Sequence, residues 1–235
     1  FAIAQCQALF KKREDLELGV DRAKAALGSF LQSEDLCREM NEKLRNMLDP
    51  QYGARAALIH QMQRKISMIL GPCPSPERLR CGFGPGTNMG CSKTTNVPSK
   101  LEVSATTTVD AILLLKEVLG TANVAWPGLN RLTFCDWAKF STVPKSWKTD
   151  RGIMVEPIVN TFLQKGIGAA IRARLRLFGV NLSDQSRNRT LALIGSRDGS
   201  LATIDLSMAS DTISSFLVAD LLPYPWFDLL YKARS

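Results

Sequence analysis

Several residue types that build common functional sites are scarce in this 235-residue chain. It has one histidine, His60, and six cysteines that form no C-x-x-C pair, so the pattern argues against a structural zinc site. No apolar run approaches the roughly 18 residues that cross a bilayer. No basic segment precedes the apolar opening "FAIAQCQALF", so a signal peptide is not indicated. We therefore expect free thiols in a reducing compartment and no membrane association.

The composition is otherwise that of a globular protein with a basic balance. Hydrophobic residues make up 45% and charged residues 22%, and the formal net charge is +8, which favours a polyanionic partner. The stretch from Lys139 to Arg189 holds ten basic residues and three acidic ones. Nucleic acid lying along such a surface would be bound in a salt-dependent manner. The arginines of this stretch predicted to bind nucleic acid are Arg172, Arg174, Arg176, Arg187 and Arg189.

The pattern along the chain predicts three regions. Residues 1–71 have apolar residues at helical spacing, with Ser33 predicted as the N-cap that separates two helices. Residues 72–200 open with a long loop rich in Pro and Gly that extends to about residue 108. Residues 201–235 are predicted to begin with a short apolar strand, "LATIDL", followed by a helix.

The second and third regions mix helices with short strands. Helices are expected at 106–120 and 159–178, the latter closed by Gly179 as a C-cap. Strands are expected around 131–145 and 152–157, and a last helix from Asp211 to just before Pro223. Because helices and strands do not alternate regularly, the class is α+β rather than doubly wound α/β.

The segment "ATIDLSMASDTIS" carries two aspartates, Asp205 and Asp211. Asp205 falls at the end of the predicted strand, where ligands gather in open sheets. Asp211 falls at the predicted helix start, where an aspartate caps free N–H groups. The spacing alone leaves two interpretations open: a strand, turn and cap, or a metal site for phosphoryl transfer.

The segment "TVPKSWKTDRGIMVEP" places Lys145, Lys148 and Arg151 within seven residues. Such a run is usually a solvated face. Its Pro, Trp and Gly instead indicate an ordered turn that leads into a strand, from which the three cations could bind a triphosphate. A second segment, "CGFGPGTNMGCSKTT", does not match a Walker A sequence. It is either a flexible turn-rich loop or a backbone contact to phosphate.

Taken in order, four stretches resemble the catalytic subunit of the RNA-directed RNA polymerase of positive-strand RNA bacteriophages, the Qβ and MS2 (levivirus) group. They are "VPKSWKTDRGIMVEP", "GIGAAIRARLRLFGVNLSDQSRNR", "GSLATIDLSMASDTIS" and "LLPYPWFDLLYKARS". "FGPGTN" also resembles the Gly-rich fingers segment of that family. The resemblance implies a right-hand polymerase fold, with fingers at 72–200, the start of the palm at 201–235 and a helical N-terminal region.

The resemblance also implies residue roles. Lys148 and Arg151, together with Lys145, would grip the triphosphate of the incoming nucleotide. Asp205 would be the catalytic residue that binds Mg²⁺, with Mn²⁺ as an alternative ion, and Asp211 would sense the ribose 2′-hydroxyl. Two-metal nucleotidyl transfer needs such carboxylates.

The family's Gly-Asp-Asp motif is absent from these 235 residues. We therefore expect an incomplete chain that does not polymerise RNA alone. The expected partners are RNA template and product and nucleoside triphosphates, with host elongation factors Tu and Ts and a host ribosomal protein implied by the family. The expected location is the cytoplasm of the infected bacterium. The alternative is a non-catalytic RNA-binding protein that uses the basic surface 139–189.

Overall fold

The computed structural model describes residues 2–11, 18–45, 53–91, 96–120 and 125–235. Within these ranges, helices dominate and four short strands form two separate two-stranded sheets. The helices are α1 (Ala2–Lys11), α2 (Arg22–Arg45), α3 (Gly53–Leu70), α4 (Val97–Glu102), α5 (Val109–Leu119), α6 (Ile158–Leu177), α7 (Ser186–Asp198), α8 (Ser215–Leu221) and α9 (Tyr224–Lys232). The strands are β1 (Ala105–Thr107), β2 (Leu132–Phe134), β3 (Lys139–Val143) and β4 (Arg151–Val155). The predicted α+β class is confirmed.

The two sheets differ in direction. β1 and β2 pair in parallel, with Ala105 opposite Leu132. β3 and β4 form an antiparallel hairpin, with Lys139 opposite Val155 and Val143 opposite Arg151. The strands predicted around 131–145 and 152–157 are therefore present.

The hydrophobic core lies between α5, α6 and β1. Val159, Leu163 and Ile167 recur at four-residue spacing on α6 and are fully buried, as expected for the inner face of an amphipathic helix. Trp126 packs against Phe83 and Phe162, with ring centroids 5.1 and 5.2 Å away. This aromatic contact ties the Gly-rich segment to α6.

The end of α6 agrees with the sequence prediction. Gly179 has φ +80°, a left-handed conformation that glycine adopts without steric cost. Its N–H donates to the Arg176 carbonyl at 3.1 Å, and the Val180 N–H donates to the Leu175 carbonyl at 3.0 Å. This pair of bonds is the Schellman motif, which stops the helix and satisfies its last carbonyls.

Two predicted helix boundaries are wrong. α2 runs without interruption from Arg22 to Arg45, and Ser33 lies buried in its interior, where its hydroxyl donates to the Ser29 carbonyl at 3.1 Å. The hydroxyl is satisfied one turn back, so it caps nothing. α5 begins at Val109 rather than at residue 106, because Thr108 caps it and the preceding residues pair in β1.

The region predicted as one long loop, 72–108, contains α4 and β1. Asn96 caps α4 by accepting the Ser99 N–H at 2.8 Å. α7 was not predicted at all. Its residues are exposed apart from partly buried Gly195, so the helix lacks the buried apolar stripe from which a helix is usually recognised.

α2 connects the three predicted regions, because it packs against both β4 and α8. Among the described residues, no helix combines the length and apolar character needed to span a bilayer.

Candidate functional site

The β3–β4 hairpin presents the cationic segment. Its loop is closed by a turn in which the Ser146 N–H donates to the Thr149 carbonyl at 3.1 Å, and the Thr149 N–H donates to the Ser146 hydroxyl at 3.3 Å. The Lys148 ammonium lies 5.0 Å from the centroid of the Trp147 ring. The ordered turn expected from the sequence is therefore present.

The hairpin is held against α2 by an aromatic contact and by an ion pair. Phe30 of α2 and Phe140 of β3 have ring centroids 5.2 Å apart. A Cβ at Gly152, on the neighbouring strand, would lie 2.9 Å from the Phe140 ring, so a larger residue there would have to displace this ring. The Arg22 Nε lies 3.8 Å from the Asp150 Oδ1, and the Asp150 N–H donates to the Arg22 carbonyl at 3.2 Å.

The Arg22–Asp150 ion pair is partly buried, and its nearest atoms lie beyond hydrogen-bond distance. The side chains are 30% and 14% exposed. Within the described part of the chain, Arg22 Nη1 and Asp150 Oδ1 have no hydrogen-bond partner. The two groups therefore attract each other by charge at a distance longer than a hydrogen bond. They lie next to the loop that carries the cations.

A pocket of about 240 Å³ lies between α2, the hairpin and the segment 207–212. It contains two of the three predicted triphosphate ligands, Lys145 and Arg151, together with Asp211. The other lining residues are Ala26, Ser29, Phe30, Phe140, Thr149, Asp150, Gly152, Ile153, Met154 and Met208. Lys148 and Asp205 do not line it. The pocket thus brings two cations together with a carboxylate that lies 60 positions from the nearer of them.

Asp211 does not cap the helix that follows it, so that prediction is wrong. α8 starts at Ser215, and its N-cap is Ser214, whose hydroxyl accepts the Leu217 N–H at 3.3 Å. Asp211 lies in the preceding turn, where its carboxylate accepts the Ser210 hydroxyl at 2.9 Å. Its side chain is exposed and therefore accessible to a ligand in the pocket.

Asp205 lies in an exposed segment without regular structure, so the predicted strand 201–206 is absent. Ile204 is 84% and Leu206 70% exposed. A strand needs a hydrogen-bonded neighbour, and the strand pairings of the described residues all lie elsewhere. The apolar run alone could not form one.

The described residues do not assemble a magnesium site. No group of three or more His, Cys, Asp or Glu side chains among them converges as metal ligands. Asp205 can offer one carboxylate, a hard oxygen ligand of the type that Mg²⁺ takes. One carboxylate is not a site, so no chemical step is assigned to a metal here.

The arginines predicted to bind RNA divide into two groups. Arg172 and Arg176 on α6, and Arg187 and Arg189 on α7, are exposed. Arg174 is partly buried, donates from Nε to the Ile69 carbonyl at 3.0 Å and packs over Gly71. Arg174 therefore ties α6 to the end of α3, and the four exposed arginines are the ones accessible to RNA.

The Gly-rich segment is anchored at several points. Its Phe83 joins the aromatic cluster, and the fully buried Lys100 ammonium donates to the Gly84 and Gly86 carbonyls, each at 2.6 Å. Lys165 donates to the Phe83 carbonyl. The contacts hold the turn-rich loop at Phe83, Gly84 and Gly86, the phosphate contact stays a prediction, and residues 92–95 lie outside the described residues.

Cys37 stands beside the pocket but is not a nucleophile candidate. Its thiol lies 3.4 Å from the Asp211 carbonyl. Burial raises the pKa of this thiol, and the nearby Glu34 and Asp211 carboxylates raise the pKa further. Since the thiolate is the reactive form, Cys37 remains a neutral thiol at physiological pH.

Sequence reasoning missed the residues that join the two motifs. Arg22 and Ser33 lie on α2, more than a hundred residues from the segments they contact. Met208, which lines the pocket, has no sequence signal for its left-handed backbone, φ 52°. Only the three-dimensional structure reveals these contacts.

Comparisons with known proteins agree with the motif resemblance. The family model described as RNA replicase, beta-chain, matches residues 5–235. The RNA-directed RNA polymerase subunit beta of Escherichia virus Qbeta is 36% identical over 233 residues, which cover 97% of this chain and 39% of the relative. The corresponding subunit of Enterobacteria phage SP is 38% identical over 238 residues, covering 97% and 40%.

A further relative is more similar over a shorter stretch. The RNA-directed RNA polymerase beta chain of Escherichia phage MS2 is 55% identical over 94 residues, which cover 40% of this chain and 17% of the relative. The chain spans about two fifths of the length of its Qbeta and SP relatives. Because the family model matches almost every residue, the chain belongs to the RNA replicase beta-chain family.

Proposed function

We propose that this chain supplies the nucleotide-binding part of an RNA-directed RNA polymerase that replicates a phage RNA genome. The observation that carries the proposal is the pocket in which Lys145, Arg151 and Asp211 meet. Membership of the replicase family and the polymerase names of the relatives support it. In this proposal the fold is a right-hand polymerase, with residues 72–200 as fingers and 201–235 as the start of the palm.

The chemistry of the pocket suits a ribonucleoside triphosphate. Arg151 offers a planar guanidinium fork and Lys145 a point charge, the two ways in which proteins hold phosphate oxygens. A carboxylate accepts hydrogen bonds from hydroxyl groups, so Asp211 can accept one from a ribose. Lys148, outside the pocket on the same loop, would meet the outer phosphates.

Asp205 is proposed as the carboxylate that holds Mg²⁺, with Mn²⁺ as an alternative ion. Bound metal would supply Lewis-acid stabilisation of charge during nucleotidyl transfer. Because the described residues do not complete a site, further ligands must come from elsewhere. In the proposal, 201–206 becomes a strand when a neighbouring strand pairs with it, and the 235-residue chain alone does not polymerise RNA.

RNA is proposed to follow the basic surface formed by Arg172, Arg176, Arg187 and Arg189. Binding there would weaken steeply with salt, because each phosphate neutralised releases counterions. The host elongation factors Tu and Ts, the host ribosomal protein and a cytoplasmic location in the infected cell remain family-based proposals. The described residues offer no feature that locates the host proteins.

The test uses the full-length subunit that contains these residues. Arg151→Ala should raise the KM for a nucleoside triphosphate by about 10- to 150-fold, because a charge-assisted bond contributes about 1.5–3 kcal/mol. Arg78→Ala, which removes an exposed arginine away from the pocket, is the matched control. An unchanged KM for Arg151→Ala would refute the triphosphate role.

The second candidate function is RNA binding without catalysis, favoured by the exposed basic surface. Asp205→Asn distinguishes the two. A polymerase should lose nucleotide incorporation and keep its affinity for RNA. Incorporation that survives this change would contradict the metal role, and a wild-type protein that binds RNA but never incorporates nucleotides would favour the second function.

A further inference from the structure

One face of α2 contacts both motifs of the proposed nucleotide site. Arg22, Ala26, Phe30, Ser33 and Cys37 recur every three to four residues, so they lie on one side of the helix. The first part of this face holds the hairpin, through the Arg22–Asp150 pair and the Phe30–Phe140 contact. The second part, Ser33 and Cys37, contacts the segment that carries Asp211. α2 therefore sets the distance between the cations and Asp211.

The contact to the aspartate segment passes through Met208. The Ser33 hydroxyl lies 3.1 Å from the Met208 sulfur, and Ser33 is fully buried. The same hydroxyl lies 3.1 Å from the Ser29 carbonyl, so the sulfur, a weak acceptor, shares the one hydroxyl proton with a backbone carbonyl. A second contact joins the Cys37 thiol to the Asp211 carbonyl at 3.4 Å.

Met208 has an unfavourable backbone conformation that this contact helps to keep. Its φ is 52°, and no other non-glycine residue in the described part of the chain has a positive φ. That conformation costs an ordinary side chain free energy. It turns the Met208 carbonyl so that it accepts the N–H groups of Asp211 and Thr212, each at 3.1 Å, and the Thr212 hydroxyl at 3.0 Å. The turn that carries Asp211 thus depends on where Met208 is held.

We propose that Ser33 is a positioning residue for ribose selection: through Met208 it places the Asp211 carboxylate opposite Lys145 and Arg151. Ser33 does not line the pocket and would not touch the nucleotide. The inference rests on the proposed function, in which Asp211 meets the ribose. Loss of the Ser33 hydroxyl moves Asp211 but leaves Lys145 and Arg151 in place. Selectivity for ribose over deoxyribose therefore changes more than affinity for the triphosphate.

The experiment compares ATP with 2′-deoxy-ATP in the full-length subunit, by calorimetric binding and by incorporation on a primed template. Ser33→Ala should lower the preference for ATP about two- to three-fold, because a bond to a thioether sulfur lies at the low end of the range for a neutral hydrogen bond. Met208→Leu keeps the volume of the side chain but removes the sulfur, and should have a similar effect. The double variant should lose no more than either single variant, since both break one contact.

The control is Ser196→Ala on α7, a helical serine whose hydroxyl donates to the Leu193 carbonyl at 2.8 Å. It removes the same group from a helix that does not border the pocket, and should leave the ATP preference unchanged. Thermal unfolding of each variant shows whether it folds. If Ser33→Ala does not fold, Met208→Leu still tests the inference.

Separate outcomes identify which idea fails. An unchanged ATP preference in folded Ser33→Ala or in Met208→Leu overturns the positioning role. So does an equal rise in the dissociation constants of both nucleotides. If the wild-type protein binds ATP with a ribose preference that Ser33→Ala reduces, yet incorporates neither nucleotide, the inference stands and the proposed polymerase activity fails. If Asp211→Ala keeps the full preference, the route through Asp211 is wrong.

Discussion

Asn160 is a fully buried amide that should be important for stability. It lies in the first turn of α6. Its Oδ1 accepts the Thr108 N–H at 3.2 Å, and its Nδ2 donates to the Thr108 hydroxyl at 3.1 Å. Nδ2 also lies 3.3 Å from the Ala233 carbonyl and 3.1 Å from the Arg234 carbonyl. One side chain thus joins α6 to the start of α5 and to the residues after α9.

Asn160→Leu keeps a similar volume and removes every one of these bonds. The Ala233 carbonyl retains Gln164 as a donor at 2.9 Å, and Arg234 is exposed to water. The group left without a partner is therefore the buried Thr108 N–H. An unsatisfied buried donor costs about 1–3 kcal/mol, and the lost amide bonds about 1 kcal/mol more. We expect a loss of about 2–4 kcal/mol in the free energy of unfolding.

The assay is urea denaturation of the folded polypeptide, followed by tryptophan fluorescence. Gln164→Leu is the matched control: it removes one bond to Ala233, whose carbonyl keeps Asn160, and should cost less than about 1 kcal/mol. For a protein of this size, the larger loss lowers the melting temperature by about 4–16 °C. A loss for Asn160→Leu no greater than for Gln164→Leu would refute the reasoning.

Two further predictions concern buried polar groups near the Gly-rich segment. Burial raises the pKa of the Cys81 thiol to about 11, so its alkylation by iodoacetamide should be slow at pH 8 and should speed up until about pH 11. Because this pKa is higher than the ordinary value of 9.0, its contribution to stability is complete below pH 9 and is lost from pH 9 to about 11. Rapid alkylation of the folded protein at pH 8 would contradict this. Lys100→Met leaves the Gly84 and Gly86 carbonyls without their donor and should speed chymotryptic cleavage after Phe83. Lys65→Met, at an exposed position, should not. Equal cleavage rates would show that Lys100 does not hold the loop.

Helices with a strong local pattern could be predicted from the sequence. α6 has buried apolar residues at four-residue spacing and a glycine stop, and its predicted range, 159–178, is within one residue of the observed Ile158–Leu177. α7 lacks such a pattern because its side chains are almost all exposed. Periodicity reveals a helix only when one face is buried.

Three predictions drawn from short stretches of the sequence were wrong. Ser33 has the sequence context of an N-cap, yet it lies inside α2, where its hydroxyl donates to the Ser29 carbonyl. The segment 201–206 has the composition of a buried strand, yet no strand among the described residues pairs with it. Asp211 has the context of a cap, yet Ser214 takes that place. Only the missing strand pairing involves residues distant in sequence; at Ser33 and Asp211 the helix simply begins at a different residue from the one predicted.

At the candidate site, too, local sequence and tertiary structure decided different things. The sequence by itself determined which residue types were available, the α+β class and the family, because motif spacing and local periodicity are properties of short segments. It also identified Lys145, Arg151 and Asp211 as candidate ligands. The tertiary structure decided which of these candidates share a pocket, and it separated them from Lys148 and Asp205. It did so by packing α2 against both motifs, a contact between residues more than a hundred positions apart that no local pattern encodes.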